Sequence, residues 1–520
     1  MKKEKLFIIT PALVMLLVPA LLLTSCDGGG KKDEYDGDKL IVSLRNLYFD
    51  AWSGGDNYTD FIEDTFKVKL QLSNYSWADW TTQVNGAING NNVEDVFHFN
   101  LDSYNFASTY EYWADGEIIK ALPDDMTSWP NLNSLLENTS NIDALKINGK
   151  LYGIPIAKNI ENPETTFSPF TYIYRRDWAR DLGVYKENDI YTWTEFNALL
   201  HAFNLRKAND ANMVAAIGDV EWGFPSVTNF YKESPHCFTR NTQGDVISNF
   251  HSDKYIEGLN KAKDLVNNQY YYQNQYSSKD GEMNKRYASQ KLGVLYENLS
   301  YTNYNKLRTD YIRNYPTVNV DDATALMKVK GPDGKFALEG TENWFSMTFF
   351  DAEISETKQR KILDIMDWLI SEEGTRFAMY GIEGYDYDMI NDEPVLKDVN
   401  EYKTKTNGAK YLRYMTTLGY DTHGYDPLVN QDTLAIINDW TAEMSEALTN
   451  EEMRIFEEDP DIRWLSSPLK NQHSGRMLSN ANSYVTQYAF NTITSIDAYK
   501  AQLNRDPWES VLAEINAKVG

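Results

Sequence analysis

Apolar residues along the first hundred positions switch repeatedly between the two-residue spacing of strands and the wider spacing of helices. The pattern predicts, in order, a strand at 40–42, a helix at 59–66, a strand at 68–72, a helix at 77–88 and a strand at 93–99. Strands that alternate with helices in this way pair in parallel, with each helix crossing over the sheet. The pattern therefore predicts an α/β unit that begins near residue 39.

A second stretch of the chain repeats the alternation. It predicts strands at 171–174 and 292–296 and helices at 194–203 and 255–267. A chain of 520 residues exceeds what one hydrophobic core usually serves. We therefore expect two α/β units, each with its own core.

The C-terminal part is predicted to be largely helical, most clearly at 435–447 and 507–517. Ile362 to Leu369 follow helical spacing. Gly374 is expected to interrupt that pattern before a second helix, and Gly381 stands where a glycine that ends a helix would stand.

The first 26 residues combine three lysines, an almost uncharged apolar run at 6–23, and the sequence Leu23-Thr24-Ser25-Cys26. An ordinary membrane-spanning helix is the alternative, since about 18 apolar residues can cross a bilayer. Pro11 and Pro19 inside the run, and the Asp-Gly-Gly-Gly sequence after Cys26, disfavour it. The pattern resembles the lipobox of bacterial lipoproteins.

That resemblance implies a signal peptide at 1–25 and a mature chain that starts at Cys26. Cys26 would carry a diacylglyceryl group, whose two acyl chains suffice for stable anchoring. Residues 26–38, rich in Gly, Lys and Asp, are expected to form a flexible tether. The expected location is the extracytoplasmic face of the cell membrane, at a Gram-positive cell surface.

The charge and composition of the chain restrict the classes of partner and ligand that it can bind. The net charge is −26, and it becomes −28 once the signal peptide, with three lysines and one glutamate, is removed. Such a surface repels nucleic acid, so we expect no nucleic-acid partner. The two cysteines are Cys26 and Cys237, so no disulfide framework is expected. The 35 Tyr, 22 Phe and 13 Trp suit a ligand with apolar faces and a hydroxylated rim, as sugars have.

Several short motifs occur in a fixed order over almost the whole mature chain. They lie at 62–70, 94–97, 112–123, 148–155, 174–178, 192–196, 371–374 and 380–385. The strongest of these motifs is Asn-Gly-Lys-Leu-Tyr-Gly-Ile-Pro at 148–155. The motif at 94–97 departs from the usual pattern at Glu94, where a proline is more common. Together the motifs resemble the extracellular solute-binding lipoproteins of carbohydrate ABC importers, the family 1, maltose-binding-protein-like group.

The resemblance implies a two-lobed fold in which each lobe is a mostly parallel sheet flanked by helices. Hinge strands would join the lobes, and the ligand would bind between them. Lobe 1 would comprise 39–156 and about 345–400, and lobe 2 would comprise 157–344 and about 401–520. The expected partners are a saccharide and the permease subunits of an importer, and the expected state is a monomer.

Candidate ligand-binding residues follow predicted strands or crossings, because ligands bind at the carboxyl ends of strands in open parallel sheets. Asp102 falls where the maltose-binding branch of the family has a sugar-contacting aspartate. The full set is Tyr48, Trp52, Asn100, Asp102, Asn159, Trp222, Glu297, Asn298, Trp344, Glu383 and Tyr385.

Signatures of catalysis are missing from the sequence. The six histidines lack the spacing of a metal-binding helix, and no nucleophile elbow or phosphate-binding glycine loop occurs. We therefore expect no cofactor, no metal and no enzymatic activity. Two alternatives stay open: a cell-surface carbohydrate-active enzyme, since a pair of carboxylates is a spatial property, and a binding protein for a peptide or another solute.

Overall fold

The computed structural model describes residues 31–47, 54–75, 80–99, 106–158, 167–210, 212–220, 223–275, 281–402, 408–418 and 427–519. The predicted signal peptide and Cys26 lie outside the described residues. Within the described ranges, no helix combines the length and the apolar character needed to cross a bilayer.

The strands, in chain order, are β1 (Tyr35–Asp36), β2 (Lys39–Asn46), β3 (Val68–Asn74), β4 (Val96–Phe99), β5 (Gly153–Ala157), β6 (Phe170–Arg175), β7 (Ile190–Thr192), β8 (Ala215–Asp219), β9 (Phe238–Arg240), β10 (Val246–Ser248), β11 (Leu292–Asn298), β12 (Thr324–Lys330), β13 (Phe336–Glu339), β14 (Trp344–Phe350), β15 (Tyr387–Ile390), β16 (Glu393–Leu396) and β17 (Met453–Phe456).

The helices are α1 (Asn57–Phe66), α2 (Trp80–Asn89), α3 (Phe106–Asp115), α4 (Pro130–Glu137), α5 (Arg176–Asp181), α6 (Trp193–Asn209), α7 (Pro225–Thr228), α8 (Asp253–Asn267), α9 (Glu282–Ala288), α10 (Tyr301–Asn314), α11 (Val320–Ala323), α12 (Glu356–Leu369), α13 (Glu372–Tyr380), α14 (Val399–Tyr402), α15 (Ala409–Arg413), α16 (Gln431–Thr449), α17 (Pro460–Arg463), α18 (Pro468–Ala489), α19 (Ile496–Leu503) and α20 (Trp508–Val519).

Two main sheets define two lobes. In lobe 1, the strands β3, β2, β4, β14 and β5 lie in that order, and β1 pairs with the start of β2. In lobe 2, the order is β7, β12, β6, β11 and β8. Each sheet has helices and a hydrophobic cluster on both faces. On β4, for example, Val96 belongs to one cluster while Phe97 and Phe99 belong to the other, as alternation along a strand requires.

Each main sheet is mostly parallel, as predicted, with one long antiparallel strand. The locally predicted pairs β2–β3 and β2–β4 are parallel, and so are β8–β11 and β7–β12. However, β14 runs antiparallel to β4 and β5, and β6 runs antiparallel to β11 and β12. These antiparallel strands carry the chain into a lobe from the other lobe, so their direction opposes the strands that end at the same edge.

The tether prediction is wrong for residues 31–38, which are part of the folded lobe. The backbone N–H of Lys31 donates to Glu353 O (2.9 Å), and the Lys31 ammonium donates to Val93 O (2.9 Å). Ser355, which caps α12, donates its hydroxyl to Asp33 (2.7 Å). The polar side chains that suggested a solvated spacer are therefore bonded to strand and helix ends.

A buried ion pair joins the lobe 1 sheet to α12. The Lys358 ammonium lies 3.1 Å from Asp95 Oδ2, and both side chains are over 90 % buried. Asp95 also accepts from the Ser43 backbone N–H (2.8 Å). The Asp95 backbone N–H donates to Ser43 Oγ (2.9 Å) rather than to a neighbouring strand, and β4 begins at Val96 rather than at the predicted residue 93. Removing either charge would leave the other buried and unpaired, which typically costs about 3–5 kcal/mol.

The strongest sequence motif forms a tight turn and the first half of β5. Asn148 (φ 52°) and Gly149 (φ 78°) both adopt the left-handed conformation that such turns favour. At Gly153, a Cβ atom would lie 2.9 Å from Thr348 O on β14. Gly153 therefore allows β5 and β14 to approach closely.

Gly374 does not separate the two predicted helices, which corrects that prediction. The break lies at Ile370 and Ser371, and the Ser371 hydroxyl accepts from Gly374 N (3.1 Å) to cap α13. Gly374 lies inside the first turn of α13, where a Cβ atom would be 1.9 Å from Trp368 O. Gly381 does end α13, as predicted, with φ 93°.

We expect Gly374→Ala to lower the free energy of unfolding by about 1–3 kcal/mol, because the added methyl group must displace the backbone of α12. Gly475→Ala is the matched control. Gly475 lies within α18, where an added Cβ atom would have nothing within 4 Å beyond the adjacent residues and backbone of its own helix, so this change should stabilise the chain by about 0.5–1 kcal/mol. Urea denaturation of both variants measures the difference, and equal effects would contradict this expectation.

The free energy of unfolding should decrease as the pH falls, and His98, at the centre of β4, should cause part of this decrease. Complete burial lowers the pKa of His98 to about 3, so the folded chain keeps this imidazole neutral. The unfolded chain binds a proton below about pH 6.5. His98→Gln should therefore lose the part of the pH dependence that His98 causes. Between pH 5.5 and 4.5, the difference in unfolding free energy between wild type and variant should change by about 1.4 kcal/mol per pH unit. Parallel pH profiles would contradict the prediction.

Candidate functional site

The direction of β5 shows which edge of the lobe 1 sheet faces lobe 2. The chain leaves lobe 1 at the carboxyl end of β5, at Ala157, and next forms β6 of lobe 2. Strand β5 is antiparallel to β14, and β14 is antiparallel to β4. The carboxyl ends of β2, β3, β4 and β5 therefore share one edge, and that edge faces lobe 2.

Lobe 2 has the corresponding arrangement. Strand β6 begins at Phe170, where the chain arrives from lobe 1, and it is antiparallel to β11, which is parallel to β8. The carboxyl ends of β8 and β11 therefore lie at the edge that faces lobe 1. Two carboxyl-end edges that face each other form the arrangement in which open α/β sheets bind ligands.

Three chain segments cross between the lobes side by side. Residues 416–418 run along the outer side of β5, with Ala157 N donating to Thr416 O (2.9 Å) and Leu418 N donating to Ala157 O (2.8 Å). On the other side, Lys158 N donates to Asn343 O (2.9 Å), just before β14. The Lys158 ammonium donates to Glu342 O (2.8 Å). These bonds make the crossings a hydrogen-bonded hinge.

The lobe 2 edge carries a buried polar cluster at the end of β8. Asp219 is 2 % exposed, and its backbone N–H donates to the Gln275 side chain (3.3 Å). The Tyr271 hydroxyl lies 3.5 Å from the Asp219 carboxylate and 2.5 Å from the Ser226 hydroxyl. Tyr172 donates its hydroxyl to Ser226 O (2.5 Å). Burial raises the pKa of Tyr172, so this hydroxyl stays a donor.

Aromatic rings lie beside this cluster. Phe170 and Tyr296 stack with ring centroids 5.7 Å apart and planes inclined by 24°. Asn229 donates to the Tyr296 hydroxyl (3.1 Å). Phe170, Tyr296 and Asn229 also line a small pocket between the lobe 2 sheet and the β13–β17 ribbon. The lobe 2 edge therefore combines ring faces with amide, hydroxyl and carboxylate groups.

Glu297 and Asn298, two predicted ligand residues, end β11 at this edge. The Glu297 carboxylate accepts from Asn284 Nδ2 (2.6 Å) and from Asn298 N (2.8 Å), so it holds α9 against the strand. The Asn298 side-chain oxygen accepts from Ser300 N (2.9 Å), before α10. Both residues have local structural bonds, and their contact with a ligand stays a prediction.

Trp344 is buried at the hinge rather than displayed to solvent. Its indole N–H donates to Ser140 O (3.1 Å), and its ring stacks on Trp464 at 5.4 Å with an inclination of 24°. Trp464 follows α17, whose Ile462 packs in the lobe 2 core, so this stack is a contact between the lobes. The described contacts thus give Trp344 a role in joining the lobes, and ligand binding by Trp344 stays a prediction.

Glu383 and Tyr385 lie in the turn between α13 and β15, and both are exposed. Their contact with a ligand also stays a prediction. The remaining predicted ligand residues lie outside the described residues: Tyr48, Trp52, Asn100, Asp102, Asn159 and Trp222. In the sequence, these six follow β2, β4, β5 and β8, whose carboxyl ends form the facing edges.

Asp219, Gln275 and Trp464 are site residues that the sequence did not predict. Asp219 could have been found, because Ala215–Asp219 is a short apolar run that ends in an acid, as the β11 run reaches Glu297. Gln275 and Trp464 reach the site from distant parts of the chain. No local pattern marks such residues.

Metal chemistry has no evident donor set in the described part of the chain, where no group of three or more His, Cys, Asp or Glu side chains is placed to hold an ion. The groups at the facing edges are hydrogen-bond donors, acceptors and ring faces. Such a surface can bind a polyhydroxylated ligand without covalent chemistry.

No family model matches the chain. One curated protein is similar, the polygalacturonan/rhamnogalacturonan-binding protein YtcQ of Bacillus subtilis. It is 22 % identical over 409 residues, which cover 75 % of this chain and 76 % of that protein.

Solved structures resemble the chain over nearly its whole length. An extracellular solute-binding protein from Bifidobacterium longum subsp. infantis has a TM-score of 0.66 at 14 % identity, covering 94 % of this chain and 99 % of that one. The ABC-transporter substrate-binding protein FusA of S. pneumoniae, in complex with kestose, has a TM-score of 0.60 at 15 % identity, covering 92 % and 98 %. The predicted two-lobed α/β fold is therefore confirmed.

We expect the Trp344–Trp464 stack to couple the two lobes energetically. In a double-mutant cycle with Trp344→Leu and Trp464→Leu, the coupling energy should be about 0.5–1.5 kcal/mol, the range for aromatic pairs. Trp440, in a separate lobe 2 cluster, supplies the control, and Trp344→Leu with Trp440→Leu should be additive. Urea denaturation measures the three variants and the doubles. Equal coupling energies in both cycles would show that the Trp344–Trp464 stack does not couple the lobes.

Proposed function

We propose that this chain is the substrate-binding component of an ABC importer, which captures a sugar or oligosaccharide between its lobes and delivers it to a membrane permease. The observation that carries the proposal is the pair of facing carboxyl-end edges joined by a three-segment hinge. Solved structures with the same fold include a substrate-binding protein in complex with kestose, and a curated relative is named a polygalacturonan/rhamnogalacturonan-binding protein.

Capture and release follow from the hinge. Each lobe alone offers half of a site, so a ligand that contacts both lobes favours the closed arrangement. Closure would change the outline of the molecule, and a permease could recognise the closed form. The net charge of −28, which the chain carries once the predicted signal peptide is removed, opposes a polyanion at long range. We therefore favour neutral saccharides over polygalacturonan fragments as the transported class.

The finer parts of the proposal rest on the sequence. Lipid at Cys26 would hold the mature chain on the extracytoplasmic face of the membrane, beside its permease. We further propose that the chain acts as a monomer and has no enzymatic activity.

The polar groups at the lobe 2 edge already bond to one another, as the hydroxyls of Tyr271 and Ser226 do. Such mutual bonds hold the side chains in place, which suits a rigid wall of a binding site.

Saccharide titration of the mature chain tests the proposal. A panel of neutral oligosaccharides, oligogalacturonides and rhamnogalacturonan fragments should contain at least one member that changes tryptophan fluorescence with saturation. At a concentration of 100 times Kd, that ligand should add about 2.7 kcal/mol to the stability of the chain. The proposal fails if no saccharide gives a saturable change or raises the melting temperature.

The same titration with variants of the predicted ligand-binding residues tests whether those residues contact the saccharide. Trp52→Ala and Asp102→Asn should each weaken binding by roughly 10- to 100-fold, the cost of about 1.5–3 kcal/mol expected for a lost charged or stacking contact. Exposed Leu205→Ala on α6 is the control and should leave Kd unchanged. Chromatography of each bound saccharide should recover it intact, whereas shortened products would support the enzyme alternative.

A further inference from the structure

A two-stranded ribbon projects from lobe 1 beyond α13. Strands β15 and β16 form a sheet of their own, in the register Tyr387 with Leu396 and Ile390 with Glu393. Asn391 (φ 53°) and Asp392 (φ 65°) form the turn, and both are left-handed, as a two-residue hairpin turn requires. Within the described structure, no third strand extends this sheet.

The two faces of this ribbon differ. Tyr387 is buried and its ring contacts Tyr380 of α13 at 5.7 Å, while Leu396 on the same face is half-buried. On the other face, all four side chains are exposed: Asp388, Ile390, Glu393 and Val395. The inner face attaches the ribbon to lobe 1, and within the described structure the apolar side chains of the outer face are exposed.

Exposed apolar side chains concentrate in and around this ribbon, and two of them, Ile390 and Val395, lie on its outer face. Among the described residues, thirteen large apolar side chains are exposed, and five of them lie within the fifteen residues from 385 to 399. They are Tyr385 (53 %), Met389 (36 %), Ile390 (52 %), Val395 (44 %) and Val399 (45 %). Scattered single residues of this kind need no explanation, but a cluster marks an interaction surface.

The apolar cluster has an acidic rim. Residues 383–401 contain six exposed carboxylates, besides the buried Asp386, and one ammonium group, Lys397; Lys403 and Lys405 follow in the sequence. Lys397 lies 3.1 Å from Asp388 and also donates to Gly384 O, so its charge is already engaged. A partner that covers the ribbon must therefore present apolar groups surrounded by basic ones.

The acidic rim discriminates between the possible partners of the outer face, which are a lipid surface, a second copy of the chain and another protein. Anionic lipid headgroups would be repelled by the rim. A second copy of the chain would bring an identical acidic rim against it, which opposes a symmetric contact. We propose that the outer face of β15–β16, centred on Ile390 and Val395, docks on a basic extracytoplasmic surface of the importer's permease. This inference rests on the proposed function, which supplies a permease as partner.

Photo-crosslinking in membranes tests the docking surface. The full-length chain carries p-benzoylphenylalanine at position 390, or at position 312, an exposed isoleucine of α10 in lobe 2, as the control. Position 390 should crosslink to a Lys- or Arg-containing loop of an integral-membrane importer subunit at a yield at least about fivefold above position 312. The yield should fall with added salt. Crosslinks to a second copy, to lipid, or equally from both positions would overturn the proposal.

Exposed β-branched residues also favour strand formation, so a structural role must be separated from docking. Ile390→Thr with Val395→Thr keeps β-branching and removes the apolar surface, and Ile312→Thr is the matched control. With the crosslinker at position 399, the double variant should lose at least about fivefold in crosslinking to the importer subunit, while Ile312→Thr loses nothing. An unchanged yield would overturn the proposal.

These outcomes are independent of saccharide binding. If no saccharide binds but position 390 still crosslinks to an importer subunit, the docking surface stands and the ligand class is wrong. If a saccharide binds tightly but position 390 crosslinks elsewhere, the proposed function stands and the docking inference fails.

Discussion

The constraint on which the molecule depends is the direction of its crossing strands. Strand β5 lies between β14 and residues 416–418, so the chain passes between the lobes three times within one hydrogen-bonded group. Because β5 leaves lobe 1 parallel to β4, the carboxyl ends of the lobe 1 strands must face lobe 2. The start of β6 imposes the same condition on β8 and β11. A cleft between two sheet edges is the geometric result.

Each lobe has its own hydrophobic clusters, which stabilise it independently of the other lobe. Lobe 1 has two hydrophobic clusters and the buried Asp95–Lys358 pair, and lobe 2 has two large clusters of its own. Between them, the described contacts include the hinge bonds, the Trp344–Trp464 stack and the bond from Ser466 to Glu111. Relative motion is the default expectation for domains within one chain. The fold therefore suits a protein whose function is to open and close.

The sequence predicted local elements well because strands and helices depend on neighbouring residues. It did not place the antiparallel strand β14 of lobe 1, because the return of β14 from a distant part of the chain leaves no local pattern. Polar residues misled it at 31–38, where Asp33 bonds to the cap of α12. Leu412 and Met415 pack in the lobe 1 core, so lobe 1 extends past the proposed boundary near residue 400. Glu297 was predicted as a site residue because it lies at the end of a strand, yet its carboxylate also fixes α9.

A saccharide that binds between the lobes should close them. Small-angle X-ray scattering of the mature chain, with and without a saccharide that saturates it, tests this most directly. We predict a smaller radius of gyration on binding, and Trp464→Leu should enlarge the ligand-free molecule by removing a contact between the lobes. A saturating ligand that leaves the radius of gyration unchanged would contradict closure, because such a ligand would bind one lobe alone.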